Sequence, residues 1–255
     1  MGETLASRFI SNGILNAGQI TASDPNEKRL EHFRRQYGIN TTPDNAEAVS
    51  GCDVVILCTK PQNTEPVIQS FRENLTENNL VISIMAGVKT EKLENLLGNN
   101  IPVIRAMPNT PCQVGAGMTV LASGTHASNS HFDIAKTLFD AVGQTEVLEE
   151  KHFDAVTGLS ASSPAFFYVI IEALAEGGVK SGLPRDVSTR LVTQACLGAA
   201  TMLGENGTHP AVLKDDVTTP AGCTVDGLMK LEEGGLRVTL IKAVVEAAKR
   251  AGELG

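Results

Sequence analysis

The 255-residue sequence has no tryptophan, and aromatic residues amount to only 4%. Proteins that stack nucleic-acid bases carry more aromatics and more positive charge. Here the formal net charge is -8, which argues against a nucleic acid or an anionic membrane as partner. There are five cysteines, Cys52, Cys58, Cys112, Cys196 and Cys223, and no C-x-x-C pair. An odd, unpaired set argues against a disulfide framework or a zinc site, so no metal is expected and a reducing cytoplasm is the simpler reading. The histidines are scattered, with no H-x-x-x-H pair. The longest strongly apolar run, 166–171, stops at Glu172, far short of the roughly 20 residues that cross a bilayer. The opening Met1-Gly2-Glu3-Thr4 lacks the basic stretch and apolar core of a secretory signal. What remains is ordinary for a globular chain of one large or two medium domains: 42% hydrophobic and 20% charged.

The first half alternates strand-like and helical patterns. Residues 4–15 read as a helix with Leu5, Phe9 and Ile10 on one side and Gly13 near its end. Residues 19–23 read as a strand, and 26–37 as a charged helix whose apolar face is Leu30 and Phe33. The continuous apolar run 54–57 predicts a strand buried on both faces of a parallel sheet. Pro61 opens a helix to 71; strands follow at 80–84 and 102–105, and 118–122 and 144–148 extend the sheet. This order predicts right-handed crossovers and a doubly wound α/β sheet. Past 150 the pattern becomes all-helical. Residues 165–179 are apolar nearly all round, which predicts deep burial between other helices. Further helices are expected over 185–203, 223–231 and from 236 to the C-terminus, and so apolar a half suits a dimer interface.

A dinucleotide-binding unit begins strand, Gly-rich turn, helix. Here the helix is present and the first strand is expected to be missing, the chain starting inside a longer reading frame. Met1 and Gly2 fall at the last two positions of a G-x-G-x-x-G turn, although Gly2 also reads as a plain terminal residue. The strand 19–23 ends at Asp24, where such folds place an acid against the adenosine ribose. Ser-Asp-Pro-Asn is equally an ordinary helix-opening turn.

Three segments carry more information: Arg105-Ala106-Met107-Pro108-Asn109-Thr110-Pro111 with Gly115-Ala116-Gly117-Met118; Gly158 to Phe166 with Gly177-Gly178-Val179-Lys180-Ser181-Gly182-Leu183-Pro184; and His209 to Thr224, followed by Gly227-Leu228 and Leu231-Glu232. In this order and spacing they resemble pyrroline-5-carboxylate reductase over nearly the whole chain. The chain departs from that family in having Thr219-Pro220-Ala221-Gly222 for Ser-Pro-Gly-Gly, Phe166 for Tyr, Asp216 for a common Asn, and no first strand. Ala221 restricts a backbone that Gly would leave free.

The resemblance implies a dinucleotide-binding domain over 1–149 and a helical dimerisation and substrate domain over 150–255. It implies reduction of 1-pyrroline-5-carboxylate to L-proline with NADPH or NADH, and a homodimer joined into a larger homo-oligomer. It places Cys223 and Thr224 at the substrate, with the Thr224 hydroxyl as the catalytic group near the ring nitrogen. The turn from Thr219 through Gly222 leads into a helix whose free N–H groups, at Gly222 and Cys223, suit a carboxylate. Capping of that helix by Thr218, Thr219 and Thr224 is the alternative. Glu150 matches an acidic position near the substrate pocket, and otherwise reads as a solvated surface acid. Cofactor contacts are implied at Met1, Gly2, Ser23, Pro25, Asn45, the strand end Cys58-Thr59-Lys60-Pro61, the strand end Ile84-Met85-Ala86, and Asp216. Lys60 also reads as an exposed lysine. Asp24 favours NADH by repelling a 2′-phosphate, whereas Ser23, Asn26, Lys28 and Arg29 could bind one, so the choice between the two cofactors stays open.

Two other readings stay open. Another imine or a β-hydroxyacid could be the substrate, with Lys180 as the acid. The chain could also be an inactive relative without a complete cofactor site. Cys223 as a nucleophile has no histidine near it in sequence, and hydride transfer needs no covalent step.

Overall fold

The computed structural model describes residues 1–98 and 100–253. Helix α1 (Gly2–Ser11) stops where Asn12 donates to the Arg8 carbonyl at 3.0 Å, and Gly13 turns the chain in a left-handed conformation at φ 68°. Strands β1 (Thr21–Ser23) and β2 (Asn40–Thr42) run parallel, Thr21 opposite Asn40. Between them α2 (Glu27–Tyr37) is capped by Asn26, whose side chain accepts from the Lys28 N–H, and is ended by left-handed Gly38. Then follow α3 (Asn45–Val49), β3 (Val54–Leu57), α4 (Thr64–Gln69), β4 (Leu80–Ser83), α5 (Thr90–Leu97), β5 (Val103–Pro108), β6 (Gly117–Ser123), α6 (Asn129–Asp140) and β7 (Gly143–Val147). The sequence did not announce β2, α3, α5 or α6. The helix expected from Pro61 to 71 is broken into a 3₁₀ turn, Pro61–Asn63, and the short α4.

Strands β3 to β7 form one sheet in chain order, parallel except that β5 and β6 are antiparallel. A short 3₁₀ turn, Thr110–Val114, closed by left-handed Gly115, allows that reversal without a crossover helix. β1 and β2 pair only with each other, so the sheet is divided where the first strand was expected to be lacking. Alternate residues of the strands feed opposite layers. Leu80, Ile82, Ile104 and Leu121 pack with Leu5 and Phe9 of α1 and Phe139 of α6. Val81, Val103 and Leu57 pack with Ile68 of α4 and Leu93 and Leu97 of α5. The first layer also takes in Ile20, beside β1, and Val54 and Ile56 of β3, so α1 bridges the two sheets. β3 packs on both faces as expected, Val54 and Ile56 in the first layer and Val55 and Leu57 in the second, but incompletely. Val54, Val55 and Ile56 are half-buried, because β3 has a sheet neighbour only on the β4 side.

The helical part comprises α7 (Phe153–Val156), a π turn (Thr157–Ala161), α8 (Ser163–Lys180), α9 (Arg185–Asn206), α10 (Pro210–Val217), α11 (Cys223–Glu233) and α12 (Leu236–Gly252). The chain divides into two compact units later than residue 150: Met1–Ser162 with the chain from Val245 on, and Ser163–Val244. Phe153 and Val156 explain the shift, for they bury against Met107, Val120 and Ala122 of the sheet. In the second unit α8 and α9 approach closely, since a Cβ on Gly178 would come within 2.6 Å of Ser188 Oγ. The expected deep burial of α8 is not found within the chain. Ala175 is its one fully buried residue, while Tyr168 is 66% and Val169 65% exposed. By length and composition the stretch Glu150–Lys180 reaches across a bilayer, more than the short run 166–171 implied. Asp154, Glu172 and Glu176 are spread along it.

Glu150, read from the sequence as a surface acid or a substrate contact, is held by three hydrogen bonds. Its carboxylate accepts from the Thr90 N–H at 2.8 Å, the Thr90 hydroxyl at 2.7 Å and Arg105 Nη1 at 3.0 Å. The Arg105 side chain is 3% exposed and lies 4.6 Å from the Phe153 ring centre. Both oxygens tie the start of α5 and the sheet to the entry of the helical part, while the side chain keeps 23% exposure. Glu150→Ala should strand the buried guanidinium and lower stability by about 2–4 kcal/mol, read as a fall in the urea midpoint. An unchanged midpoint would rule out this anchor.

Candidate active site

The carboxyl ends of parallel strands are where open α/β sheets bind ligands. In the first unit these ends gather most of the residues expected at a cofactor. Ser23, at the end of β1, donates from its hydroxyl to Asn45 Oδ1 at 2.7 Å, and Asn45 Nδ2 donates to Ser70 Oγ at 2.9 Å. Asn45 is held there because Asp44 caps α3, accepting from the Ala46 N–H. Pro25 lies exposed in the following turn, where Asp24 Oδ1 accepts from the Asn26 N–H at 2.9 Å.

The end of β3 meets the start of α1. A Cβ on Gly2 would stand 3.2 Å from Cys58 Cβ and 3.3 Å from its Sγ, so only a bare backbone fits this approach comfortably. Among the described residues no side chain caps α1 at Met1. Its first N–H groups are therefore available to an anion. Cys58 and Lys60 are exposed, and Pro61 begins the 3₁₀ turn. Thr59 and Thr64 hydroxyls each lie 3.4 Å from Met85 Sδ. Met85 itself is 2% exposed. The expectation of a direct cofactor contact at Met85 is thus corrected to support of the Thr59–Pro61 turn from below, while Ile84 and Ala86 beside it keep partial exposure. A bare-backbone cradle, an uncapped helix start and a Ser23–Asn45 pair fit the pyrophosphate and the adenosine ribose of a dinucleotide.

Glu3, which the sequence reading did not single out, organises the flank of this site. Its carboxylate meets His32 Nε2 at 2.8 Å, Tyr37 Oη at 3.0 Å and Arg29 Nη1 at 3.0 Å. These bonds, the one from His32 foremost, hold its carboxyl below the usual carboxylate range, and burial beside Glu3 raises the Tyr37 hydroxyl. No local motif marks such a cluster, whose members lie more than twenty residues from Glu3.

The expected substrate turn lies in the second unit. Gly222 is the N-cap of α11, and no side chain caps that helix among the described residues. The capping role considered for Thr218, Thr219 and Thr224 is therefore absent; Thr218 donates instead to the Lys214 carbonyl at 2.8 Å. The Gly222 N–H is spent on the Thr219 carbonyl at 3.0 Å, which corrects its expected role as an anion donor. Cys223 and Thr224 are the residues whose N–H groups open the helix. A Cβ on Gly222 would meet Thr219 Oγ1 at 2.5 Å and the Thr219 carbonyl at 3.1 Å, so a side chain here would force the Thr219 hydroxyl to turn away. Ala221 sits in the left-handed region at φ 60°. Asp216 is exposed on α10, brought by no hydrogen bond to the other expected residues, and Lys180 is exposed in the last turn of α8.

Comparison with known proteins matches residues 150–254 to the family model for pyrroline-5-carboxylate reductase dimerisation, and 1–87 to that for NADP oxidoreductase, coenzyme F420-dependent. A pyrroline-5-carboxylate reductase of Glycine max is 44% identical over 255 residues, covering all of this chain and 92% of that protein. The structure of a pyrroline-5-carboxylate reductase from Coxiella burnetii superposes with a TM-score of 0.92 at 33% identity, over all of this chain and 94% of that one. A pyrroline carboxylate reductase of Plasmodium falciparum with NADP bound gives 0.90 at 29% identity, over the same shares.

The strained alanine yields a direct test. A non-glycine residue in this region costs about 1–2 kcal/mol, partly offset by the greater unfolded-state freedom of glycine. Ala221→Gly should leave the melting temperature level or raise it, and Ala221→Val should lower it. The reverse order would mean that the turn is not left-handed at this residue.

Proposed function

The chain belongs to the pyrroline-5-carboxylate reductase family, and on that footing we propose how its residues carry out the reduction of 1-pyrroline-5-carboxylate to L-proline with NAD(P)H. The observation that carries the reading is the uncapped start of α11, where the Cys223 and Thr224 N–H groups meet no acceptor among the described residues. The N–H groups hold the substrate carboxylate, helped by the positive end of the helix. The ring nitrogen, protonated as the iminium, donates to the Thr224 hydroxyl. That bond fixes which face of the C=N bond is presented and supports the charge that hydride addition to C5 removes. Bound NAD(P)H supplies the hydride, and the product nitrogen keeps its proton as the secondary amine.

In the first unit the opening N–H groups of α1, with Gly2 leaving room, take the pyrophosphate. Ser23, Pro25 and Asn45 line the adenosine side, and Cys58, Thr59, Lys60, Pro61, Ile84 and Ala86 line the way to the nicotinamide. The backbone at Met1 belongs with the pyrophosphate cradle. The exposed apolar side chains of the second unit, among them Phe167, Tyr168, Val169, Leu191 and Ile241, are covered by a second copy of the chain. Homo-oligomerisation accounts for an apolar face that a lone soluble chain would not leave bare. The net charge and the unpaired cysteines accord with a cytoplasmic location.

Purified chain should consume NAD(P)H with pyrroline-5-carboxylate and not with linear imines, and should not oxidise β-hydroxyacids with NAD(P)+. Turnover of a hydroxyacid alone would move the assignment to the other substrate class. Thr224→Ala should lower kcat/KM by about ten- to a hundredfold, with unchanged helix content. On a sizing column the native chain should run as a dimer or larger, and Val169→Glu should shift it towards monomer; a monomeric native chain would overturn the covering copy.

A further inference from the structure

The end of β1 carries a choice of cofactor. A nicotinamide dinucleotide laid along these strand ends, as proposed above, brings its adenosine ribose to Ser23 and the turn after it. The Ser23 hydroxyl proton is already given to Asn45. Asp24 uses one carboxylate oxygen on the Asn26 N–H, and Asn26 uses its side-chain oxygen on the Lys28 N–H. The turn therefore presents an acid where a 2′-phosphate would have to sit, and an acid accepts well from a 2′-hydroxyl.

A 2′-phosphate could still be held by a fork of cationic donors from the first turns of α2. Arg29 is the arginine nearest in sequence, and it is engaged elsewhere. Its guanidinium donates to Glu3 Oε2 at 3.0 Å and lies 5.3 Å from the Phe33 ring centre. Glu3 is fixed in turn by His32 and Tyr37. Arg34 is held by Glu27 and Glu31, each at 2.9 Å. Lys28 and Arg35 have no ion pair among the described residues; Lys28, in the first turn, is a single flexible charge, and Arg35 lies two turns further along α2.

We infer that this chain selects NADH over NADPH, Asp24 excluding the 2′-phosphate and Glu3 acting as the positioning residue that keeps Arg29 from it. The inference rests on the cofactor site proposed above. It differs from that proposal in concerning one phosphate group.

The test needs no turnover. Calorimetric titration of the purified chain with NADH and NADPH, and with AMP and adenosine 2′,5′-bisphosphate as adenosine-side probes, gives the affinity ratio directly. NADH should bind about tenfold tighter than NADPH, as one unrelieved charge clash at a partly solvated site implies. Asp24→Asn should narrow that ratio severalfold. Glu3→Gln should narrow it too, through a released Arg29. Arg29→Ala should leave the native ratio as it is and erase the gain made by Glu3→Gln, which loss of a merely structural contact would not do. Tighter NADPH binding by the native chain, or a ratio that neither Asp24→Asn nor Glu3→Gln moves, would overturn the inference while leaving the site intact. Absence of binding by either dinucleotide would overturn the site and the inference together.

Discussion

The proposed chemistry depends on two helix starts whose backbone N–H groups meet no side-chain cap among the described residues. α1 opens at Met1 without a cap, and α11 opens at Gly222 without one. Orphan N–H groups at the positive end of a helix dipole are stable when an anion or water takes them. Other helices, α4 and α9 among them, also begin without a side-chain cap; α1 and α11 stand out because the proposed reaction brings an anion to each, a pyrophosphate and a carboxylate. The rest of the architecture keeps these groups open. Gly2 allows the backbone of α1 to run against Cys58, and Gly222 allows the turn from Thr219 to close.

The turn before α11 shows how narrow that provision is. The Thr219 carbonyl takes the Gly222 N–H, so the free donors begin one residue later than the sequence suggests. Ala221 is driven to φ 60°, a conformation that glycine adopts without strain. The chain keeps this shape although the residue resists it, which fits a turn held by its surroundings at a functional place. Around α1 the analogous provision is electrostatic. Glu3, in the first turn of α1, gathers Arg29, His32 and Tyr37 around its carboxylate.

Elements set by local pattern were legible in the sequence. Leu5 and Phe9 gave α1, Leu30 and Phe33 gave α2, and the apolar runs at Val54 and Leu80 gave β3 and β4, because periodicity follows from the backbone itself. Ala221 was legible too, as an alanine in a place that wants glycine. What escaped depended on distant partners. Nothing around Glu150 discloses that Thr90 and Arg105 will claim its oxygens. Met85 looks like a strand-end ligand until its burial under Thr59 and Thr64 is seen. The apolar character of α8 was read correctly, but no surface of the same chain covers it, so deep burial within the chain was the wrong consequence. β3 packs on both faces, but its burial is incomplete because its outer edge has no sheet neighbour.

The claim at the centre is that Cys223 and Thr224 hold the substrate carboxylate through their backbone N–H groups. Residue-resolved amide hydrogen exchange, measured with and without L-proline in the presence of oxidised cofactor, addresses that claim most directly. Exchange at Cys223 and Thr224 should slow markedly on adding L-proline and remain fast with L-prolinamide, which lacks the carboxylate. Equal exchange in all three samples, or equal protection by the amide, would contradict it.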